Sequence, residues 1–102
     1  MNMKTPEQCN GMEEIRAEVN SIDREIVRLL GRRLAYVRGA VRFKPDADSI
    51  TKPDHWDRFF AQRRAWGEEE GYEPDVIEAI YRRLYEYTVQ VQLAMHRAKQ
   101  KD

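Results

Sequence analysis

Residues 15–44 read IRAEVNSIDREIVRLLGRRLAYVRGAVRFK, and their apolar pattern decides the fold. Apolar side chains recur every three or four residues, the spacing of one helix face. The stripe contains Ile15, Val19, Ile22, Ile26, Leu29, Tyr36 and Ala40, and a second row of Val27, Leu30, Leu34, Val37 and Val41 widens it. The pattern predicts one long helix over about residues 11–43. At ~1.5 Å per residue it is on the order of 45–50 Å long, longer than a compact domain of this size is wide.

Two further helices are predicted after this one. The segment 44–53, KPDADSITKP, contains two prolines and several turn formers and predicts a loop. A short second helix follows, whose buried side is marked by Trp56, Phe59, Phe60 and Trp66. Gly71 suits the C-terminal cap of that helix, and Pro74 suits the first turn of a third helix that runs to about Lys99. The fold class is therefore all-α, with three helices per chain in the order long, short, long.

The chain length and the apolar stripes together predict an assembly of two chains. At 102 residues the chain is expected to be one helical domain over residues 1–102, with flexible ends at 1–10 and 100–102. Two long helices and a short one cannot cover each other's stripes within one compact chain. We therefore expect an intertwined homodimer in which the long first helices pack together.

Charge and cysteine content exclude several classes of protein. Eighteen Lys and Arg balance eighteen Asp and Glu, which argues against a nucleic-acid or membrane-surface partner. Cys9 is the single cysteine, and the N-terminal stretch MNMKTPEQCN has no apolar run like that of a signal peptide. No segment approaches the ~20 apolar residues that span a bilayer. We expect a cytoplasmic protein.

Positive charge is nevertheless concentrated in residues 31–44, which hold five cations and no acid. Arg33 falls in the middle of the apolar stripe, where an unpaired guanidinium would be costly. Arg16 lies at the edge of the stripe, and Lys44 lies at the far end of the helix. Arg33 therefore either forms a salt bridge with an acid of a partner helix, Asp23 or Glu25, or binds an anionic ligand.

Helix three adds an amide to these cations. Its periodicity places Gln92 on the inward face beside Thr88 and Tyr85, whereas Gln90 falls on the outer face. A pocket with two arginines, a lysine and an amide suits a small dicarboxylate with a further acceptor oxygen.

No nucleophile or metal-ligand set competes with this interpretation. His55 and His96 lie far apart without Cys or Asp at ligand spacing, and Cys9 lies in the N-terminal tail. We expect no metal and no cofactor. A site without a base points to catalysis by positioning and electrostatics.

The quoted stretch resembles the first helix of the all-helical chorismate mutase family, where an Ile-Arg, an Ile-Asp, a Leu-x-x-Arg and a terminal Lys recur at these spacings. MKTPEQC, RFK and RRAWGEEEG look closest to the family's isochorismate pyruvate lyase branch, which forms salicylate for siderophores. The resemblance implies an intertwined helical dimer without cofactor. It implies that Arg33 and the second subunit's Arg16 bind substrate carboxylates, while Lys44 and Gln92 contact the ether oxygen of the breaking bond. Residues 45–53 would form a lid over the site.

Two positions depart from the family's pattern. Its second-helix motif, roughly Pro-x-Arg-Glu, is read here as PDHW, with His55 at the arginine and Trp56 at the glutamate. An apolar residue in place of the glutamate favours lyase over mutase. His55 is a weaker carboxylate partner than arginine, and Arg58, one turn on, could substitute for it.

Three functions follow from these observations. The first is an isochorismate pyruvate lyase with weak chorismate mutase activity. The second is a mutase acting on chorismate or on an amino analogue. The third is a helical dimerisation or regulatory module without turnover, for which His55 is the main support.

Overall fold

The computed structural model describes residues 4–51 and 56–100, with the backbone alone at Trp56 and Gln100. These residues form four α-helices: α1 (Met12–Gly39), α2 (Ala47–Thr51), α3 (Trp56–Glu69) and α4 (Pro74–Gln100). Two short 3₁₀ turns, Pro6–Gln8 and Ala40–Phe43, precede and follow α1. The described part of the chain contains no β-strand, as the sequence predicts.

The chain divides into two compact units, Met1–Ala35 and Tyr36–Asp102. The first unit is most of α1 with the turn before it. Its helix start is held by Glu14, whose carboxylate accepts hydrogen bonds from the Asn10 backbone N–H and from Lys4 Nζ, both at 2.7 Å. The Thr5 backbone N–H also donates to Gln8 Oε1 at 2.9 Å. Residues 4–10, predicted as a flexible tail, thus fold onto the start of α1.

Most of the apolar stripe of α1 is exposed in the single chain, and no α1 residue is buried. Ile22 and Ile26 are each 48% exposed and Val27 is 66% exposed. Side chains of this kind gain free energy, about 25 cal/mol per Å², when they leave water.

The second unit is organised around α4, which packs against α3, α2 and the 3₁₀ turn at Ala40–Phe43. Among the described residues its buried apolar side chains are Val41, Ile50 and Phe60, and Gln92 is buried as well. Phe60 packs edge-on against Phe59, with ring centroids 5.2 Å apart. Trp66, predicted on the buried side of α3, is instead 45% exposed, although the Arg63 guanidinium lies 4.9 Å from its ring.

Gly71 forms the C-terminal cap of α3, as predicted. This glycine has φ of 73°, a left-handed conformation that favours glycine. Its N–H donates to the Glu68 carbonyl at 3.0 Å, and the Tyr72 N–H donates to the Gly67 carbonyl at 2.8 Å, the pair of bonds that defines a Schellman motif. Helix α4 then begins at Pro74, as predicted.

The segment predicted as a loop at 45–53 contains a helix that periodicity missed. Asp46 caps α2: its carboxylate accepts the Ser49 N–H at 2.9 Å, and its carbonyl accepts the Ser49 hydroxyl at 2.7 Å. Five residues are too short to show a helical period, so only the capping aspartate signals this helix. Thr51 is the last residue of α2, and its hydroxyl donates to the Ala47 carbonyl at 3.1 Å.

The three predicted helices correspond to α1, α3 and α4. The long first helix is α-helical to Gly39 and tightens into the 3₁₀ turn over its last predicted residues. Among the residues that the structure describes, no helix combines the length and the apolar character needed to span a bilayer.

Candidate active site

Lys44 and Gln92, 48 residues apart in sequence, are in direct contact. Lys44 Nζ donates to Gln92 Oε1 at 2.9 Å. Lys44 follows the 3₁₀ turn after α1 and is half-buried, whereas Gln92 on α4 is only 2% exposed. Gln90, two residues earlier, is exposed, so the predicted inward and outward faces of α4 are confirmed at these two positions.

The Gln92 amide makes a second hydrogen bond, to the main chain of α1. Its Nε2 donates to the Val37 carbonyl oxygen at 2.8 Å. Val37 belongs to the last turn of α1, where backbone carbonyls lack a partner within the helix. No side chain marks this acceptor in the sequence, because a backbone carbonyl is common to every residue. Only the rule that helix ends need partners pointed to it.

Partial burial affects the pKa of Lys44. Its pKa is lowered from the usual lysine value because the partly buried ammonium has lost some of its water. Lys4 provides the contrast in the same chain: its hydrogen bond to Glu14 raises its pKa. Among the described residues the acceptor of Lys44 is a neutral amide, which does not neutralise its positive charge. This arrangement favours binding of an anion or of an oxygen that gains negative charge.

The two candidate arginines of α1 lie far apart. Arg16 is exposed and Arg33 is half-buried. They are 17 positions apart on one continuous helix (33 minus 16), which corresponds to about 25 Å along its axis. Arg16 and Arg33 of one chain therefore cannot hold the same small molecule. Glu25, one of the proposed salt-bridge partners of Arg33, pairs with Arg28 of its own helix.

The remaining candidates lie at or near the start of α3. Arg58 is exposed and lines a surface depression together with Phe59, Gln62 and Arg63. The Arg63 guanidinium stacks 3.7 Å from the centroid of the Phe59 ring. His55 lies outside the described residues, as does the side chain of Trp56.

Lys44 and Gln92 form a pair of N–H donors fixed relative to each other. The ammonium has three hydrogens and uses one on Gln92, and the amide has two and uses one on Val37. Neither group is a base at neutral pH, so the pair suits the stabilisation of an oxygen that becomes negative as a bond breaks.

Comparison with known proteins identifies the family of this chain. The chorismate mutase type II family matches residues 15–93, a span that includes Arg16, Arg33, Lys44 and Gln92. An isochorismate pyruvate lyase of Pseudomonas aeruginosa is 35% identical over 91 residues, which cover 89% of this chain and 90% of that protein. The resemblance inferred from the sequence is thereby confirmed, and the chain belongs to the chorismate mutase type II family.

Proposed function

We propose that this protein is an isochorismate pyruvate lyase that converts isochorismate to salicylate and pyruvate. The observation that carries the proposal is the Lys44–Gln92 pair, a buried amide and a partly buried ammonium joined at 2.9 Å. The similarity to a lyase over most of both chains supports the same substrate.

The reaction needs no protein base. The ring C–O bond to the enolpyruvyl group breaks as the hydrogen on the hydroxyl-bearing ring carbon moves to the enolpyruvyl methylene. The ring becomes aromatic salicylate, the methylene becomes a methyl group, and the ether oxygen becomes the ketone oxygen of pyruvate. Both products form directly, without a charged or radical intermediate. The protein therefore has to hold the substrate in the reactive conformation and stabilise the ether oxygen.

Each site residue has a distinct role in this proposal. Lys44 and Gln92 donate hydrogen bonds to the ether oxygen, which gains electron density as its ring bond lengthens. Arg33 binds the enolpyruvyl carboxylate, since a guanidinium matches a carboxylate with two parallel N–H groups. Arg58, near the start of α3, binds the ring carboxylate with or in place of His55.

We further propose that the site is shared between two chains of a homodimer. Arg16 and Arg33 of one chain are about 25 Å apart along α1, so a ligand held by Arg33 of one chain takes its second guanidinium from Arg16 of the other. The exposed apolar stripe of α1 supports the same assembly. In this homodimer each chain is one helical domain, and residues 45–53 close over the bound substrate. We place the enzyme in the cytoplasm, in a salicylate-forming siderophore pathway.

Product analysis tests the proposal. The purified protein is incubated separately with isochorismate and with chorismate, and salicylate, pyruvate and prephenate are measured. We expect salicylate and pyruvate in equal amounts from isochorismate, and slower prephenate formation from chorismate. Lys44→Ala is the matched control for contaminating activity.

A chorismate mutase is the second candidate, because the matching family is the type II mutases. It predicts the opposite preference, with prephenate formed faster than salicylate. A protein that is folded but turns over neither substrate would instead be the non-catalytic helical module.

A further inference from the structure

Gln92 bridges two parts of the second unit. Its Nε2 donates to the Val37 carbonyl at 2.8 Å, and its Oε1 accepts from Lys44 Nζ at 2.9 Å. The side chain is 2% exposed, so water does not replace either partner easily. An amide buried with both of its ends engaged is fixed in position.

Only one of the two orientations of this amide is compatible with its neighbours. A rotation of 180° would place Oε1 against the Val37 carbonyl oxygen and the NH₂ group against the Lys44 ammonium. Both hydrogen bonds would then become contacts between like partners, two acceptors or two donors. The main-chain carbonyl of Val37 therefore determines that the amide oxygen faces Lys44.

Lys44 needs such a partner because its stem is flexible. A lysine ammonium is a compact charge on four rotatable carbons, and burial disfavours the charged form. The hydrogen bond to the Gln92 oxygen gives the ammonium one preferred position. The second amide hydrogen makes no hydrogen bond with the residues that the structure describes, so it stays available beside the ammonium.

We propose that Gln92 is a positioning residue for Lys44, held in orientation by the main-chain carbonyl of Val37, in addition to its contact with substrate. The catalytic consequence rests on the proposed function, since a positioned ammonium matters for turnover only if Lys44 acts on the substrate. The positioning itself is a property of the ligand-free chain. It is therefore tested without substrate.

The first test is a titration of the wild-type protein by NMR. Lysine is labelled with ¹³C and the glutamine side chains with ¹⁵N, and Lys44→Arg identifies the Lys44 resonance by its loss. We expect the Gln92 side-chain amide to shift with the same midpoint as the Lys44 ¹³Cε signal, because the hydrogen bond changes when the ammonium loses its proton. The Gln90 amide, exposed on the same helix, is the internal control and stays constant. A Gln92 amide that does not follow Lys44 overturns the proposal.

The second test changes the acceptor. Gln92→Glu places a carboxylate where the amide oxygen contacts Lys44, and we expect the Lys44 midpoint to rise by at least ~1 pH unit, a tenfold tighter hold on its proton. Gln90→Glu adds the same charge on the exposed face, where solvent screens it, and is expected to shift the midpoint by less than about a third of that. Equal shifts in both variants overturn the proposal. If Gln92→Glu does not fold, the wild-type titration decides alone.

Failure of this inference is distinguishable from failure of the proposed function. A protein that forms no salicylate but shows coupled titration of Gln92 and Lys44 overturns the lyase assignment and keeps the positioning role. A protein that forms salicylate with uncoupled titrations does the reverse.

Discussion

Gln92→Glu tests the chemistry of the site through pH. The amide donates one hydrogen to Val37 at 2.8 Å and has a second for the substrate at any pH. A protonated carboxyl has only one hydrogen for these two acceptors, and a carboxylate has none. The ionised variant would also place negative charge beside the Val37 carbonyl oxygen and repel the developing charge on the ether oxygen.

The expected magnitude is that of losing one preorganised donor. Such losses lower kcat by about 10²–10³-fold. The variant should keep partial activity at low pH and lose about 10²-fold or more as pH rises through the pKa of the new carboxyl. Burial raises that pKa, whereas the Lys44 ammonium lowers it, so the prediction concerns the direction of the pH dependence.

The assay is kcat for salicylate formation between about pH 5 and 8, a range in which an amide does not titrate. Gln90→Glu is the matched control, with the same substitution on the exposed face of α4, and its profile should equal that of the wild type. Circular dichroism and sedimentation at each pH establish that the variant is folded and has the wild-type oligomeric state. Wild-type turnover by folded Gln92→Glu through neutral pH would refute the assignment of Gln92 to the breaking bond.

Three further predictions follow from the described geometry. Lys44→Ala should lower turnover by ~10²-fold or more without unfolding the protein, and near-wild-type turnover by this variant would exclude Lys44 from the site. As pH rises, wild-type turnover should begin to fall below the usual lysine pKa, because burial lowers the pKa of Lys44. Mixed Arg16→Ala and Arg33→Ala chains should regain about a quarter of the wild-type sites at equal ratio, because half of the dimers are mixed and each has one intact site; no recovery after verified subunit exchange would contradict a shared site. Gly67→Ala should destabilise the protein by about 1–3 kcal/mol in thermal unfolding, because an added Cβ would lie 2.7 Å from Ile77 Cγ1; a gain in stability, as helix propensity alone predicts, would contradict this close packing.

Much of the fold could be predicted from periodicity. The long runs of α1 and α4 repeat their apolar spacing over many turns, so the extent of both helices was predictable. The inward face of α4 was predictable too, including the difference between Gln92 and Gln90. Gly71 was predictable because a left-handed helix cap needs a residue without Cβ. Helix α2 was not, since five residues contain barely one turn.

The side chains of the candidate site were identifiable from the sequence, whereas its main-chain acceptor was not. Gln92 is an amide on an apolar stripe, where it needs a partner, and Lys44 ends the cation-rich stretch of the first helix. The Val37 carbonyl has no sequence signature, and its role depends on where α1 tightens into the 3₁₀ turn. The turn over residues 4–10 was likewise missed, because the contact of Lys4 with Glu14 joins a tail without periodicity to a helix.

Following the ring hydrogen tests the proposed reaction most directly. Isochorismate carrying deuterium on its hydroxyl-bearing ring carbon is converted in ordinary water, and the pyruvate is analysed by mass spectrometry. We predict salicylate together with pyruvate that retains the deuterium in its methyl group, because donors such as Lys44 and Gln92 stabilise the ether oxygen while the hydrogen moves directly from one carbon to the other. Pyruvate whose methyl hydrogens come from water, or the absence of salicylate from a folded protein, would contradict it.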